Sequence, residues 1–252
     1  EADGKVFDEC TRIIIDQTAD VTIKGDVSDI RVGREFTELI LGSPFGFPEI
    51  RGRGGASIRI SGSLLEPDVG IDFDLSPAGY DLFDLAAADG RVLVSRGVAD
   101  CHFRLTDPEL YGEIDLVSGA AGLDAVIRMS RGELARIIPG LDLTYPFSGS
   151  ASGEFRVTTR GTAIQVDGRF TSPLLHYLNE GFHFVSARLT WDGDTIAFPE
   201  LSFEYYGGSV GGSWQLGTLG QVMAIDLAAD GIDLRQLAPD LGGRLSFDVR
   251  GG

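Results

Sequence analysis

The sequence predicts an all-β fold, and three observations lead to that fold class. Apolar and polar residues alternate in many segments, and residues 68–75 are a clear example. Because successive side chains of a strand point to opposite faces, each such segment has one apolar and one polar face. Turn-forming residues separate the segments, as is typical of all-β folds. Glycine, at 35 of 252 residues, is about twice as frequent as usual, which favours many turns and bulges.

The individual strands follow from this alternation. Residues 57–61, 113–116, 153–158, 165–170 and 244–250 repeat the pattern of residues 68–75. We count about sixteen strands at a spacing of about 8–12 residues. The predicted turns are residues 66–68, 76–79, 89–90, 107–108, 192–194 and 206–208, because each is rich in Gly, Pro or Asp.

Two short helices are predicted, over residues 132–139 and 232–239. In each, apolar residues recur at the i, i+3 spacing of one helix face and Pro ends the helix. Asp233 is a suitable N-cap for the second helix.

These helices reveal an internal repeat. Residues 134–141 and 234–241 share the pattern L-x-x-[IL]-x-P-x-L, and a glycine-bounded strand follows each of them. We predict a leading strand of a preceding repeat at residues 1–19, a first unit at 20–119, a second at 120–218 and the start of a third at 219–252. Units that cannot bury their apolar faces alone must stack on their neighbours, so we expect one continuous, elongated structural domain.

The repeated segments resemble a known family. The helix pattern, the strand Gly-Arg-Leu-Ser-Phe-Asp-Val-Arg-Gly and the stretch Tyr-Gly-Gly-Ser-Val-Gly-Gly-Ser-Trp-Gln-Leu-Gly are similar to the AsmA-like superfamily, most of all to its TamB family. The resemblance covers most of residues 20–252, although the first unit lacks the helix pattern. It implies a U-shaped, taco-like β-sheet in a periplasmic protein anchored in the inner membrane. It also implies phospholipid transport and outer-membrane assembly, with no catalytic residues.

The apolar faces of the predicted strands are the candidate lipid groove. In the first unit the candidates are Ile58, Ile60, Val69, Ile71, Phe73, Leu75, Phe103, Leu105, Ile114 and Leu116. In the second unit they are Phe155, Val157, Ile164, Val166, Phe170, Phe182, Phe184, Ile196, Phe198, Leu201, Phe203 and Tyr205. Such residues also fill the closed core of an ordinary β-sandwich, so an open groove and a closed core both remain open.

Composition excludes some classes of function. A net charge of −17 disfavours nucleic acid, because a protein that follows a phosphate backbone needs a basic surface. Cys10 and Cys101 allow one disulfide or two free thiols. No apolar run is long enough to span a membrane. Because the chain begins without Met and the third unit stops early, we expect any signal or membrane anchor of the parent protein outside these residues.

No pattern of catalytic or metal-binding residues stands out. The G-x-S-x-G at residues 207–211 lacks the following helix of a nucleophile elbow. His102, His176 and His183 have no metal-ligand spacing, and we expect His102 and His183 on polar strand faces. The Asp-Gly pairs at Asp89, Asp192 and Asp230 lack the calcium-loop pattern and are predicted turns. We therefore expect that the chain is not an enzyme and that it binds no metal or cofactor. A pair of catalytic carboxylates that come together only in the folded protein would not be recognised from the sequence.

Three functions are compatible with these observations. The leading one is a non-enzymatic, bridge-like lipid-transfer module of the bacterial envelope. It would bind phospholipid acyl chains and work with an outer-membrane barrel protein. The second is a structural or adhesive β-repeat protein with a closed core and no lipid ligand. The third is a β-helical enzyme acting on polysaccharide, for which the repeat is too long.

Overall fold

The computed structural model describes residues 18–32, 50–63, 66–80, 83–140, 146–161, 163–217, 222–237, 240 and 242–251. These residues form fifteen β-strands and two short helices, which confirms the all-β prediction. The strands belong to one open antiparallel sheet in the order β1-β2-β3-β5-β6-β7-β8-β9-β10-β11-β12-β13-β14-β15, and β4 pairs with β3. Sequential order means that nearly every strand is bonded to the strand before and after it in the chain.

The elements have the following bounds. The strands are β1 Thr18–Val32, β2 Ile50–Ser63, β3 Pro67–Tyr80, β4 Phe83–Leu85, β5 Ala87–Ser95, β6 Val98–Thr106, β7 Leu110–Gly119, β8 Gly122–Glu133, β9 Phe147–Arg160, β10 Ala163–Tyr177, β11 Glu180–Trp191, β12 Thr195–Tyr205, β13 Gly208–Gly217, β14 Val222–Asp233 and β15 Arg244–Gly251. The helices are α1 Leu134–Gly140 and α2 Leu234–Leu237.

The chain divides into two compact units. Unit 1 comprises the residues up to Asp107 together with Glu113–Ala121, and unit 2 comprises Pro108–Gly112 together with Gly122 onward. Unit 1 therefore holds β1 to β6 and most of β7, whereas unit 2 holds β8 to β15 and both helices.

Strand pairing in unit 1 places apolar residues opposite apolar residues. Ile58 of β2 faces Ile71 of β3, which faces Val92 of β5, which faces Cys101 of β6. Directly paired residues of an antiparallel sheet lie on the same face. We use the name apolar ladder of unit 1 for this set of paired residues and the apolar residues beside it on the same face. Its members are Val21, Ile23, Ile58, Ile60, Val69, Ile71, Phe73, Leu75, Ala88, Val92, Val94, Ala99, Cys101, Phe103 and Leu105.

Unit 2 contains an equivalent ladder, in which β-bulges correct the register. Val157 of β9 faces Val166 of β10, and Val166 faces Trp191 of β11. The apolar residues of β12 change from even to odd numbers at the bulge between Phe198 and Leu201. A bulge adds one residue to a strand, so the side chains on both sides of it return to the same face.

Three of the predicted turns are wrong. Residues 76–79 belong to β3, Asp89-Gly90 belongs to β5 and Asp230-Gly231 belongs to β14. Gly90 is in mid-strand because a ring from each neighbouring strand occupies the space where its side chain would be. A Cβ there would lie 2.8 Å from both Phe73 Cζ and Phe103 Cδ1. The turns at Asp107-Pro108, residues 192–194 and Tyr206-Gly207 are confirmed.

The two helices occur in the same local setting within unit 2. α1 lies between β8 and β9 and α2 lies between β14 and β15, and the strands of each pair are antiparallel neighbours. Each pairing has a bulge just before the helix, between Met129 and Gly132 and between Ala229 and Ile232. The predicted N-cap is confirmed, since Asp233 Oδ1 accepts the Arg235 N–H at 3.0 Å. α1 extends one residue past Pro139, so this proline does not end the helix as predicted.

Candidate functional site

The side chains of the apolar ladders are mostly half-buried rather than enclosed. Among the predicted groove residues, Leu75, Phe103 and Leu116 are buried, Phe184 is 67% exposed and the others are half-buried. At the outer strand β1, Val21 and Ile23 are 48% and 57% exposed. The described residues contain no second sheet and only two short helices. The ladders therefore keep apolar surface that is accessible to solvent.

The ladder of unit 2 is rich in aromatic rings. Phe198 of β12 lies opposite Trp214 of β13, with ring centroids 6.0 Å apart. Phe182 contacts both Phe203 and Tyr205, with centroids 5.1 and 5.3 Å apart. Such contacts contribute about 0.5–1.5 kcal/mol each beyond area burial. Phe182, Phe203 and Tyr205, which we call the aromatic patch, join β11 to β12, and Phe198 and Trp214 join β12 to β13.

Glycines lie opposite aromatic residues along both ladders. Phe73 and Phe103 are each paired with Gly90, and Phe155 is paired with Gly168. In both places a glycine Cβ would collide with a ring atom, so the rings occupy the space above the glycine. An aromatic ring that covers a cross-strand glycine protects the backbone there. The bulky rings consequently fold down onto the sheet at these glycines.

Phe184 is separated from the rest of the predicted groove residues. Alternation predicts Phe182 and Phe184 on one face, yet Phe182 joins the aromatic patch and Phe184 is exposed. Phe184 has φ +50°, a left-handed conformation that non-glycine residues seldom adopt. This local bulge brings Val185, which is buried, to the position that alternation gives to Phe184.

The ladders include residues that the alternation pattern did not single out. Val92, Val94, Ala99 and Cys101 lie in unit 1, and Trp191, with a buried indole nitrogen, lies in unit 2. Val92 and Val94 were missed because Leu93 between them is also apolar, which hides the alternation. Cross-strand register, which the sequence does not show, identifies them.

The opposite face carries rows of ion pairs. In unit 1, Arg91 contacts Asp72 at 2.6 Å, and His102 Nδ1 lies 2.7 Å from Asp115 Oδ1, so His102 is on the polar face as predicted. In unit 2, Arg188 contacts Asp167 at 2.8 Å and Glu200 at 3.8 Å. All these side chains are substantially exposed, so each pair contributes little to stability.

Hydrogen bonds lower the pKa of two carboxylates of unit 2. The hydrogen bonds from Arg156 lower the pKa of Asp124, and backbone N–H groups of Thr195 and Asp194 lower the pKa of Asp192. Asp192 thus closes the β11–β12 turn, and its carboxylate oxygen lies 2.8 Å from the Thr195 nitrogen. These carboxylates have structural roles within the polar face.

One carboxylate borders the aromatic patch. The hydroxyls of Tyr205 and Tyr206 both donate to Glu180 Oε2, at 2.8 and 3.0 Å. Burial, together with Glu180, raises the pKa of Tyr205. The phenol therefore stays protonated and keeps donating. This contact ties the β10–β11 turn to the β12–β13 turn.

Ser209, the serine of the G-x-S-x-G sequence, lies in a strand. Ser209 lies in β13 between Glu204 and Asp230 of the neighbouring strands, and β13 continues as strand rather than helix. Within the described residues no group of His, Cys, Asp and Glu could hold a metal ion. Two surface depressions, of about 160 and 440 Å³, lie among the residues of these ion pairs.

Cys101 is a free thiol buried within the ladder of unit 1, with 2% exposure. Burial, and then the neighbouring Asp100, raise its pKa to about 12. Cys101 therefore forms no disulfide in this structure, and Cys10 lies outside the described residues.

We expect Cys101 to resist alkylation in the folded protein. In a Cys10→Ser background at pH 8, iodoacetamide should react roughly a hundredfold or more slowly than in the urea-unfolded chain, because the thiolate is the reactive form. A folded pKa above the unfolded value favours folding below pH 9, and this contribution should decline as pH rises from 9 toward 12. Mass spectrometry of timed samples measures the rate; equal rates in the two states would contradict this burial.

Compared with protein-family models, curated proteins and solved structures, the chain matches none of them. Within the described residues, neither helix has the length and apolar character required to cross a membrane.

Proposed function

We propose that this chain is a non-enzymatic lipid-binding module in which an acyl chain lies along the apolar ladders. The observation that carries the proposal is the half-buried state of the ladder in each unit, shown by Ile58 and Ile71 in unit 1 and by Phe198 and Phe203 in unit 2. A sheet with one apolar face requires a cover, which is a second layer of protein or a ligand. The proposed sheet curves into a U-shaped, taco-like groove with the ladders on its concave face.

The glycine–aromatic pairs support this use of the ladders. At Gly90 the rings of Phe73 and Phe103 converge over the backbone. A low surface lets a flexible acyl chain contact several strands in succession. Each methylene transferred from water to such a surface contributes about 0.8 kcal/mol.

The ladders also suggest how a lipid could move. Their members are aliphatic and aromatic side chains repeated from strand to strand. One polar atom among them is the indole nitrogen of Trp191, which is buried and has no hydrogen-bond partner among the described residues. An apolar chain therefore meets similar surroundings at successive positions and no single deep energy minimum. This property suits transfer along a surface better than storage in a closed pocket.

The wider setting follows from the AsmA-like resemblance of the strand and helix pattern. We place the module in the periplasm, within a longer parent protein anchored in the inner membrane. Its partners would be phospholipids and an outer-membrane barrel protein, in support of outer-membrane assembly. The polar face, with its exposed ion pairs, would face the aqueous periplasm.

Native mass spectrometry tests the proposal. The chain, purified without detergent from bacteria, should carry phospholipid, and after delipidation it should bind a fluorescent fatty acid. A delipidated protein that remains folded by circular dichroism and binds no fatty acid would overturn the proposal. That outcome would favour the structural or adhesive β-repeat protein with a closed core.

A further inference from the structure

Glu180 lies at one end of the apolar ladder of unit 2. It shares a face of β11 with Phe182, because a single residue separates the two. Tyr177, which pairs with Glu180 across the β10–β11 turn, lies on the same face, and its ring centroid is 4.9 Å from that of Phe147. At this end the ladder therefore changes from apolar side chains to aromatic residues around a carboxylate.

The carboxylate of Glu180 has no cationic partner within the part of the chain that the structure describes. The hydroxyls of Tyr205 and Tyr206 both donate to its Oε2 atom, at 2.8 and 3.0 Å, and no further partner contacts it there. On the polar face, by contrast, Asp167 forms an ion pair with Arg188. Glu180 is half-buried, and a charge removed from water is unfavourable unless it is paired. Its Oε1 atom remains available to a donor.

The surroundings of Glu180 suit a cation. Tyr205 and Tyr206 have ring centroids 4.3 Å apart, and Phe182 stacks on Tyr205 at 5.3 Å. Aromatic rings attract a cation to their faces. They also exclude water, which strengthens the attraction between a cation and the carboxylate. The turn beside these residues is open, since Leu178 is 66% exposed, so a ligand group can reach the carboxylate from solvent.

We propose that Glu180, Tyr205 and Tyr206 bind the ammonium group of an amine-headed phospholipid. This inference rests on the proposed function, because the acyl chain of that lipid lies along the aromatic patch. The ammonium group donates a charge-assisted hydrogen bond to Glu180 Oε1 beside the two tyrosine rings. Its phosphate stays at the solvent-exposed end of the strands. The site then selects among phospholipids by head group, which an apolar ladder alone does not do.

Competition binding of two lysophospholipids tests the site. Lysophosphatidylethanolamine and lysophosphatidylglycerol with the same acyl chain share the phosphate and differ in the amine. Each displaces a fluorescent fatty acid from the delipidated full chain, at concentrations that do not form micelles. We expect the ethanolamine lipid to bind roughly tenfold more tightly. Glu180→Gln should abolish this preference, because it keeps an acceptor oxygen for the two phenols and loses the charge.

Glu204→Gln is the matched control. Glu204 is exposed and lies opposite His183 on the polar side of β12, so the variant removes the same charge outside the site and should keep the preference. Equal Kd values for both lipids in the unsubstituted chain would overturn the head-group site alone. A preference that persists in Glu180→Gln, shown by circular dichroism to be folded, would also overturn it. Failure of both lipids to bind would overturn the site and the proposed function together.

Discussion

Replacing Phe73 with Asp should abolish photo-crosslinking of a diazirine-bearing fatty acid to unit 1. Phe73 lies opposite Ala56 and Gly90 in the apolar ladder, with its ring 6.0 Å from that of Phe103. An ionised carboxylate there would retain water and displace the acyl chain. Losing contact with three methylenes, at about 0.8 kcal/mol each, weakens binding roughly fiftyfold.

A matched control is available one strand away. Leu93 of β5 is 47% exposed and faces Gly70 and Asp100 on the polar side of the sheet. Leu93→Asp introduces the same charge into the same unit but outside the ladder, so crosslinking should persist. Equal crosslinking of both folded variants would exclude acyl-chain binding along the ladder of unit 1.

The same comparison can be made in unit 2. Phe203 packs against Phe182 in the aromatic patch, whereas Phe184 is exposed at a bulge. Phe203→Asp should remove crosslinking to unit 2 and Phe184→Asp should not. Because Phe203 also packs against the core of Val210, Ala229 and Ile232, thermal unfolding of both variants must accompany the assay.

Substitution of Gly54 by Ala should destabilise the protein far more than substitution of its neighbour Gly55. Gly54 has φ +156°, and a Cβ there would overlap the backbone carbonyl oxygen of Asp74 on β3. Overpacking and backbone strain together cost about 2–5 kcal/mol. At Gly55 no atom lies within 4 Å of the Cβ position. Gly55→Ala should therefore be neutral, or stabilising by less than about 1 kcal/mol.

Urea denaturation measures both glycine variants under identical conditions. The free energy of unfolding should fall for Gly54→Ala only, and the cooperativity of the transition should be unchanged. A similar loss in both variants would mean that β2 and β3 do not approach as closely at Gly54 as their pairing indicates.

Much of the fold can be predicted from alternation, because strand geometry fixes which side chains share a face. Ile58, Ile60, Val69 and Ile71 were placed on one face from spacing alone, and strand pairing brings them together. The structural role of individual glycines was harder to predict from the sequence. Asp89-Gly90 has the composition of a turn but occupies mid-strand, since the decisive factor is the pair of rings that meet over Gly90.

The candidate site shows the same division. Alternation found Phe182 and Phe203 but placed Phe184 beside them, because a bulge leaves no mark in the spacing of apolar residues. Only the strand register places Cys101 and Val92 in the ladder, and the register depends on which residues of neighbouring strands are paired. A shift of one residue would move each of them to the polar face.

The sequence by itself determined that this chain is all-β, with a repeated helix pattern and alternating apolar and polar residues in many strands. These properties depend on the two-residue period of a strand and on local helix signals. Both can be recognised from residues that are close together in the sequence. Only the tertiary structure decided the strand order, the bulges and the half-buried state of the ladders. Those depend on contacts between residues distant in the chain, where a neighbouring ring or carbonyl decides which side chain fits.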